Sequence, residues 1–257
     1  MADEILLEER PAPGVVVLRL NRPSVLNALN LELRRALAQA VTRLEEDDGA
    51  RAIVLAGSER AFCAGADLQE YADAAPPEIV ARHIDRLWDA IARCRKPVLA
   101  AVRGHALGGG CELAMHADIV VAGEGARFGQ PEVLIGLMPG GGATQRLTRA
   151  VGKFRAMKLL LCGEPMTASD AFAMGLVSEL VADDQVEPCA IALAAKLAQG
   201  PQLALQFIKQ AVIEGMNLPL QQGLEFERKS FQLLFATGDK AEGIRARLEK
   251  RPARFGD

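Results

Sequence analysis

Hydrophobic residues recur along this chain with strand-like spacing in some segments and helix-like spacing in others. Apolar runs predict strands at 15–20, 52–56, 98–102, 117–121 and 177–181. Helical spacing predicts helices at 31–46, 78–93, 140–149 and 152–161, and a short helix from Cys111. Strands that alternate with helices favour an α/β fold, in which helical crossovers join parallel strands.

The last third of the chain follows a different pattern. Thr167–Asp170 resembles a capping box for a short helix that Gly175 ends, although Asp replaces the usual Glu or Gln. After residue 181 the pattern is almost entirely helical, with breaks near 200–201, 215–219 and 238–239. We therefore expect a domain boundary near residue 200.

Composition and charge exclude several classes of protein. The 257 residues are 50% hydrophobic, enough to bury a sizeable core. A net charge of -3 gives no general attraction for nucleic acid or an anionic membrane, and no apolar run approaches the roughly 20 residues of a membrane span. The acidic start, Met1–Glu4, is unlike a secretion signal or a transit peptide, so we expect the mature chain to begin there.

The cysteines indicate a reduced, cytoplasmic protein. They are odd in number, scattered and without CxxC spacing: Cys63, Cys94, Cys111, Cys162 and Cys189. The three histidines show no paired metal spacing, so no metal site is expected. Cys111 lies beside the glycine-rich segment and could be a nucleophile, but a small packing residue is the commoner alternative.

The segment Gly104–Leu113, followed by Gly129–Glu132, carries the chemistry of the sequence. The strand at 98–102 leads into its glycines, and the helix that follows places Glu112 near a helix N-terminus, where backbone N–H groups are exposed. Small and apolar neighbours predict that Glu112 is partly buried, which would raise its pKa. Main-chain donors beside two carboxylates favour addition or elimination next to a carbonyl.

Two structural explanations of this segment stay open at this point. Glycines also permit tight turns and close helix packing, and acidic residues favour helix N-termini for dipole reasons alone. The glycines lack the GxGxxG spacing of a dinucleotide site, and Gly152–Lys153 lacks the other residues of a P-loop. Neither NAD nor ATP is therefore expected as a cofactor.

The motifs of this chain, in their order and spacing, resemble the enoyl-CoA hydratase (crotonase) family over nearly the whole length. The segments that carry the resemblance are 21–23, 27–29, 61–68, 96–98, 104–113, 126–132, 139–141, 144–147 and 175–177. Arg103 and His105 depart from it, since Asn and Tyr are common there. The resemblance implies a crotonase-like spiral of ββα units for residues 1–198 and a helical segment, 199–257, that covers the site and mediates assembly.

The resemblance also implies roles for individual residues. Ala66 and Gly109 match the positions whose backbone N–H groups form the oxyanion hole. Glu112 and Glu132 match the pair of carboxylates that hold one water and move protons in the hydratases. The chain would therefore add water reversibly to a trans-2-enoyl-CoA and give a 3-hydroxyacyl-CoA.

The coenzyme A part of the substrate would lie against the loop that follows Phe62. The residues expected to bind it are Ala64, Ala66, Asp67, Leu68, Gln69 and Gly109. The basic residues that meet its phosphates stay open among Arg22, Arg60 and the arginines and lysine at 245–251. Coenzyme A is part of the substrate, so no separate cofactor is expected.

The resemblance extends to assembly, pathway and alternatives. It implies a homotrimer or a homohexamer built as a dimer of trimers, and the C-terminal half looks most like bacterial 2,3-dehydroadipyl-CoA hydratases of phenylacetate catabolism. An enoyl-CoA isomerase or an acyl-CoA hydrolase of the same fold remains an alternative, although both glutamates favour water addition. A non-catalytic RNA-binding or scaffolding relative is a further alternative, which a basic helical face would favour.

Overall fold

The computed structural model describes residues 4–256, which form ten strands and eleven α-helices. The strands are β1 (Leu6–Ala12), β2 (Gly14–Leu20), β3 (Ala50–Ala56), β4 (Ala61–Cys63), β5 (Val98–Val102), β6 (His105–Leu107), β7 (Ile119–Gly123), β8 (Arg127–Gly129), β9 (Met166–Thr167) and β10 (Glu179–Val181). The helices are α1 (Leu31–Glu46), α2 (Pro76–Ala81), α3 (Ile84–Ala92), α4 (Gly109–Met115), α5 (Ala143–Val151), α6 (Lys153–Cys162), α7 (Ala168–Ala173), α8 (Val186–Ala198), α9 (Gln202–Gly215), α10 (Leu220–Leu234) and α11 (Gly238–Leu248). The α/β class and the helical C-terminal region are confirmed.

The larger sheet has the strand order β1-β2-β3-β5-β7-β10. All its strand pairs are parallel except β1 with β2, which form an antiparallel hairpin. Helix α8 packs on one face through Ala190, Ala194 and Ala198, and the main core covers the other face. Because both faces are buried, β2, β3 and β5 are nearly continuous apolar runs.

The smaller sheet positions the site. Its order is β4-β6-β8-β9, and β4, β6 and β8 are parallel to one another. The carboxyl ends of parallel neighbours meet at one edge of a sheet. The three loops that begin at residues 64, 108 and 130 therefore leave from the same edge.

The predicted helix at 78–93 is wrong, because two helices occupy that segment. The break is at His83, whose φ of 47° is left-handed. Arg82 donates to the Glu70 carbonyl at 2.7 Å and lies over the Tyr71 ring, which ties α2 to the loop after β4. Helix α3 instead buries Trp88 in the core, so one straight helix cannot satisfy both contacts.

Other predicted elements are present with shifted bounds. The strand expected at 117–121 is β7, the last strand begins two residues later than expected, and the helices at 140–149 and 152–161 are α5 and α6. Thr167 caps α7 by accepting from the Asp170 N–H at 3.1 Å. The Asp170 carboxylate accepts from the Thr167 hydroxyl rather than from its backbone N–H, so the capping box is incomplete.

The C-terminal helices α9 to α11 leave many apolar side chains exposed in the single chain. Lys209 ties α9 to the larger sheet through the Asp118 carboxylate at 2.7 Å and the Lys96 carbonyl at 2.9 Å. The large apolar residues exposed on and beside these helices include Leu203, Ile208, Val212, Phe231, Leu233 and Phe235. Among residues 4–256, every helix is too short or too polar to cross a lipid bilayer.

Candidate active site

Three loops from the edge of the smaller sheet bring together the residues that the sequence singled out. Ala66 follows the end of β4, Gly109 follows β6, and Glu132 follows β8. A Cβ atom placed on Gly109 would lie 3.6 Å from the Ala66 nitrogen, and one placed on Gly108 would lie 2.8 Å from Glu132 Oε1. The parallel pairing of three short strands therefore gathers residues that are far apart in sequence.

Two backbone N–H groups in this cluster have no acceptor within the described residues 4–256. The neighbours of Ala66 pair with Leu29: the Gly65 carbonyl accepts from its N–H at 2.7 Å, and Asp67 donates to its carbonyl at 3.2 Å. This parallel bridge turns the Ala66 N–H to the opposite side. Gly109 is the first residue of α4, where N–H groups have no partner inside the helix.

The three consecutive glycines meet different constraints. Gly108 has a φ of 49°, and Gly110 has no room for a side chain because its Cβ would lie 2.0 Å from the Cys63 carbonyl oxygen. Gly109 differs, since φ is not in the left-handed region and its Cβ would meet the nearest atom, Nη2 of Arg34, at 3.4 Å. Packing explains Gly108 and Gly110 but does not require glycine at 109.

Glu112 is buried and held in place by backbone donors. Its side chain is on α4 and is 3% exposed. Oε1 accepts from the N–H groups of Gly141 at 2.7 Å and Ala143 at 3.0 Å. Burial raises the pKa of this carboxyl, although these hydrogen bonds and the charge of Arg34 act to lower it.

Glu132 lies in the short 3₁₀ turn Pro131–Ile135 and is half-buried. Burial, together with the charge of Glu112, raises the pKa of Glu132 to about 7. The fully buried Gln130 supports it: with the amide nitrogen facing Glu132, that nitrogen lies 3.3 and 3.2 Å from Oε1 and Oε2. A carboxyl with a pKa near 7 can accept or release a proton at neutral pH.

Trp88 and His116 pack beside Glu112. Their rings stack with centroids 4.7 Å apart. Burial lowers the pKa of His116 to about 4, so its imidazole is neutral at physiological pH, and Nδ1 lies 2.7 Å from the Glu112 carbonyl oxygen. His116 therefore supports α4 and carries no charge into the site.

The residues expected to contact coenzyme A lie at the outer side of the site. Ala64 is half-buried, while Leu68 and Gln69 are exposed. Asp67 pairs with Arg22 at 3.0 Å and accepts from the Gln69 N–H at 3.3 Å, so it orders this loop. Their contact with coenzyme A remains a prediction.

Other candidate residues are placed differently. Cys111 is buried, and burial raises the pKa of its thiol to about 12, which favours a packing role over a nucleophilic one. All five cysteines are free thiols. Four apolar residues that follow Glu132 are exposed: Val133, Leu134, Ile135 and Met138. Within residues 4–256, no cluster of three or more His, Cys, Asp or Glu side chains could hold a metal ion.

Four residues of the site were not assigned a role from the sequence. Gly141 holds Glu112, Gln130 supports Glu132, and Trp88 packs beside both Glu112 and Arg34. Arg34 is the fourth of these residues, and it is only 7% exposed. Its position between the buried apolar residues of α1 is the signal that could have found it.

The chain is similar to known proteins over nearly its entire length. The sequence profile described as enoyl-CoA hydratase/isomerase matches residues 10–257. A probable enoyl-CoA hydratase of Rhizobium meliloti is 46% identical, with 98% of each chain covered. The 2,3-dehydroadipyl-CoA hydratase of Escherichia coli is 46% identical, with 94% of each chain covered.

Solved structures agree in fold. The crystal structure of enoyl-CoA hydratase subunit I from Geobacillus kaustophilus superposes with a TM-score of 0.95 at 42% identity and 98% coverage of each chain. That of an enoyl-CoA hydratase from Bacillus anthracis has a TM-score of 0.94 at 34% identity, covering 98% of this chain and 99% of the other. The expected crotonase-like spiral is confirmed, and the chain belongs to the enoyl-CoA hydratase/isomerase family.

Proposed function

We propose that this protein is an enoyl-CoA hydratase, which adds water reversibly across the double bond of a trans-2-enoyl-CoA. One observation carries the proposal: Glu112 and Glu132, both with raised pKa values, lie beside two backbone N–H groups that have no acceptor within residues 4–256. The hydratases among the relatives support it.

The backbone donors would bind the thioester oxygen. When water attacks C3 of the conjugated thioester, negative charge accumulates on the carbonyl oxygen. The N–H groups of Ala66 and Gly109 would stabilise that charge, and losing one such donor typically costs about 3–4 kcal/mol. Packing within the protein does not require glycine at position 109, which supports the view that a bound ligand needs the space beside this residue.

The two carboxylates would move the protons. One glutamate takes a proton from the water as its oxygen bonds to C3, and the other delivers a proton to C2, which gives the 3-hydroxyacyl-CoA. This requires the pair to hold one proton, and the raised pKa values keep a proton on the pair near neutral pH. The hydrogen bonds from Gly141 and Ala143 occupy Oε1 of Glu112 and leave Oε2 for the water.

The alternatives have weaker support. An isomerase needs one glutamate, and a hydrolase would attack the thioester carbon, so neither uses the second carboxylate in this way. An RNA-binding relative would need a basic helical face, whereas the helix at 31–46 carries only Arg34, Arg35 and Arg43 among acidic residues. Arg34 is buried and Arg43 pairs with Glu8, which leaves Arg35 as the exposed member of that set without an ion pair within residues 4–256.

The finer expectations rest on analogy. The 2,3-dehydroadipyl-CoA hydratase is one relative at 46% identity and supports a place in phenylacetate catabolism. Bacterial relatives and free cysteines support a cytoplasmic enzyme. The exposed apolar side chains of α9 to α11 support assembly as a homotrimer or homohexamer, with this segment as a second unit beside the core. We expect no cofactor beyond the coenzyme A of the substrate.

A panel of enoyl-CoA thioesters tests the proposed reaction. Purified protein is mixed with crotonyl-CoA, hex-2-enoyl-CoA and 2,3-dehydroadipyl-CoA, while the absorbance of the conjugated thioester and the product mass are followed. Loss of absorbance with a gain of one water supports hydration. Release of free coenzyme A, or a shifted double bond without a change of mass, would instead identify a hydrolase or an isomerase.

A further inference from the structure

Arg34 is a buried cation near Glu112 that forms no ion pair or hydrogen bond within residues 4–256. It lies on α1, is 7% exposed, and its guanidinium carbon is 4.9 Å from the centroid of the Trp88 ring. Within residues 4–256, no carboxylate lies within salt-bridge distance of its nitrogens, and no oxygen accepts a hydrogen bond from them. The hydrogen-bonding capacity of this side chain is therefore unused by the protein.

The guanidinium lies next to the proposed reaction centre. Nη2 is 3.4 Å from the position that a Cβ on Gly109 would take, and the Ala66 nitrogen is 3.6 Å from the same position. Arg34 also lines a small cavity whose other walls are apolar or aromatic: Leu29, Leu37, Leu87, Trp88 and Ile91. An acyl chain held by Ala66 and Gly109 would thus begin close to this cavity.

Folding alone does not account for an arginine at this position. Burying a charge without an ion pair is costly, and the contact with Trp88 and the nearby charge of Glu112 compensate only in part. The adjacent Arg35 is exposed, so the same helix places one arginine in solvent and the next in the core. A methionine or leucine at 34 would pack among the same apolar neighbours without that cost.

We propose that Arg34 binds a carboxylate at the far end of the acyl chain, so that the site prefers enoyl thioesters of short dicarboxylic acids. This inference rests on the proposed function, because it assumes that the thioester oxygen sits between Ala66 and Gly109. The planar guanidinium presents two parallel N–H donors to a carboxylate. Because Arg34 lies close to Gly109, only a short chain can separate the thioester carbonyl from the terminal carboxylate.

The same residue would discriminate against neutral chains. A terminal methyl group leaves the Arg34 guanidinium buried and unpaired, whereas a terminal carboxylate pairs with it. Sites built around a polar partner reject analogues that lack it more strongly than apolar pockets reject small changes of size. The cation also offsets the repulsion that the buried Glu112 would exert on a second carboxylate.

Binding of saturated thioesters tests this inference apart from the reaction. Succinyl-, glutaryl- and adipyl-CoA are compared with butanoyl-, pentanoyl- and hexanoyl-CoA, which match them in carbon number. None has a double bond to hydrate. Calorimetry gives the affinities, and the fluorescence of Trp88, the single tryptophan, reports on the cavity itself.

The wild-type protein should bind at least one carboxylated thioester more tightly than its neutral partner. Arg34→Met should lower the affinity for that carboxylated thioester by about 10- to 100-fold, as expected for one charged hydrogen bond. The affinity for the neutral thioester should stay the same or increase. Arg34→Lys should restore part of the preference, and Arg35→Met, one residue away and exposed, should keep all of it.

Two results would overturn the inference. One is equal affinity of the wild-type protein for both members of every pair, and the other is equal weakening of both members in Arg34→Met. If Arg34→Met does not fold, Arg34→Lys decides: it should bind the carboxylated thioester more weakly than wild type and the neutral one equally well, and an unchanged affinity for both would overturn the inference. A protein that binds with this preference but does not hydrate unsaturated thioesters would refute the proposed reaction and leave the Arg34 site standing.

Discussion

The backbone N–H of Gly141 donates a 2.7 Å hydrogen bond to Glu112, and the Glu112 carboxylate fills the space that a side chain at position 141 would need. The Gly141 N–H donates to Oε1, while a Cβ on Gly141 would lie 2.6 Å from Oε2 and 2.9 Å from Trp88. The loop before α5 therefore fixes the direction in which the Glu112 carboxylate faces.

Gly141→Ala should displace the Glu112 carboxylate and lower turnover by about 100-fold, because a shift of about 1 Å in a catalytic group costs that much. Gly140→Ala is the matched control, since a Cβ there has no atom within 4 Å. Steady-state kinetics on crotonyl-CoA measures both. Equal activities of the two variants would show that the position of Glu112 does not matter.

Glu112→Gln and Glu132→Gln should each lower turnover by about 100-fold or more, because each removes a group that transfers a proton. Glu124→Gln is the control, as its side chain is exposed and outside the site. Circular dichroism checks that all three fold. Wild-type turnover in either site variant would rule out the two-carboxylate mechanism.

Glu132 should make the protein less stable as the pH rises. Its pKa is about 7 in the folded protein and near 4.5 when unfolded, so the folded state binds the extra proton between these values. Relative to wild type, Glu132→Gln should gain stability as the pH rises from about 4.5 to 7, by about 1–2 kcal/mol once the partial exposure of the carboxyl is allowed for. Urea unfolding at pH 4.5 and pH 8 measures this, and a gain that is equal at both pH values would be inconsistent with the raised pKa.

Gly109→Ala should separate folding from catalysis. The added methyl would meet its nearest neighbours at 3.4 to 3.6 Å, ordinary contact distances, so the melting temperature should stay close to that of wild type. The methyl narrows the space beside the Ala66 N–H, and kcat/KM should fall by about 10- to 100-fold. By contrast, Gly110→Ala should unfold the chain, because its Cβ would lie 2.0 Å from the Cys63 oxygen. A fully active Gly109→Ala would argue against an oxyanion hole at this position.

The long elements were predictable from the sequence, and the short strands that build the site were not. Helix α1 and strands β2, β3 and β5 carry strong periodic or continuous apolar patterns, which tertiary packing then preserves. Strands β4, β6 and β8 have three residues each, too few to show a period, although they build the site. Strand β1 pairs at an edge and includes Pro11, so its pattern is weak.

Individual site residues show the same limit. The expected burial of Glu112 followed from its small and apolar neighbours, and the structure agrees. The hydrogen bonds from Gly141 and the unpaired state of Arg34 depend on contacts between distant segments, which spacing along one sequence does not encode. The break at His83 likewise results from the contact of Arg82 with the loop around Tyr71.

The fate of isotopically labelled water tests the central claim most directly. A trans-2-enoyl-CoA is incubated with the protein in water enriched in ¹⁸O, and the product is fragmented in a mass spectrometer. Hydration by Glu112 and Glu132 places one labelled oxygen on C3 of a product that still carries coenzyme A. Label in a free carboxylic acid, or an isomerised product without label, would contradict the account.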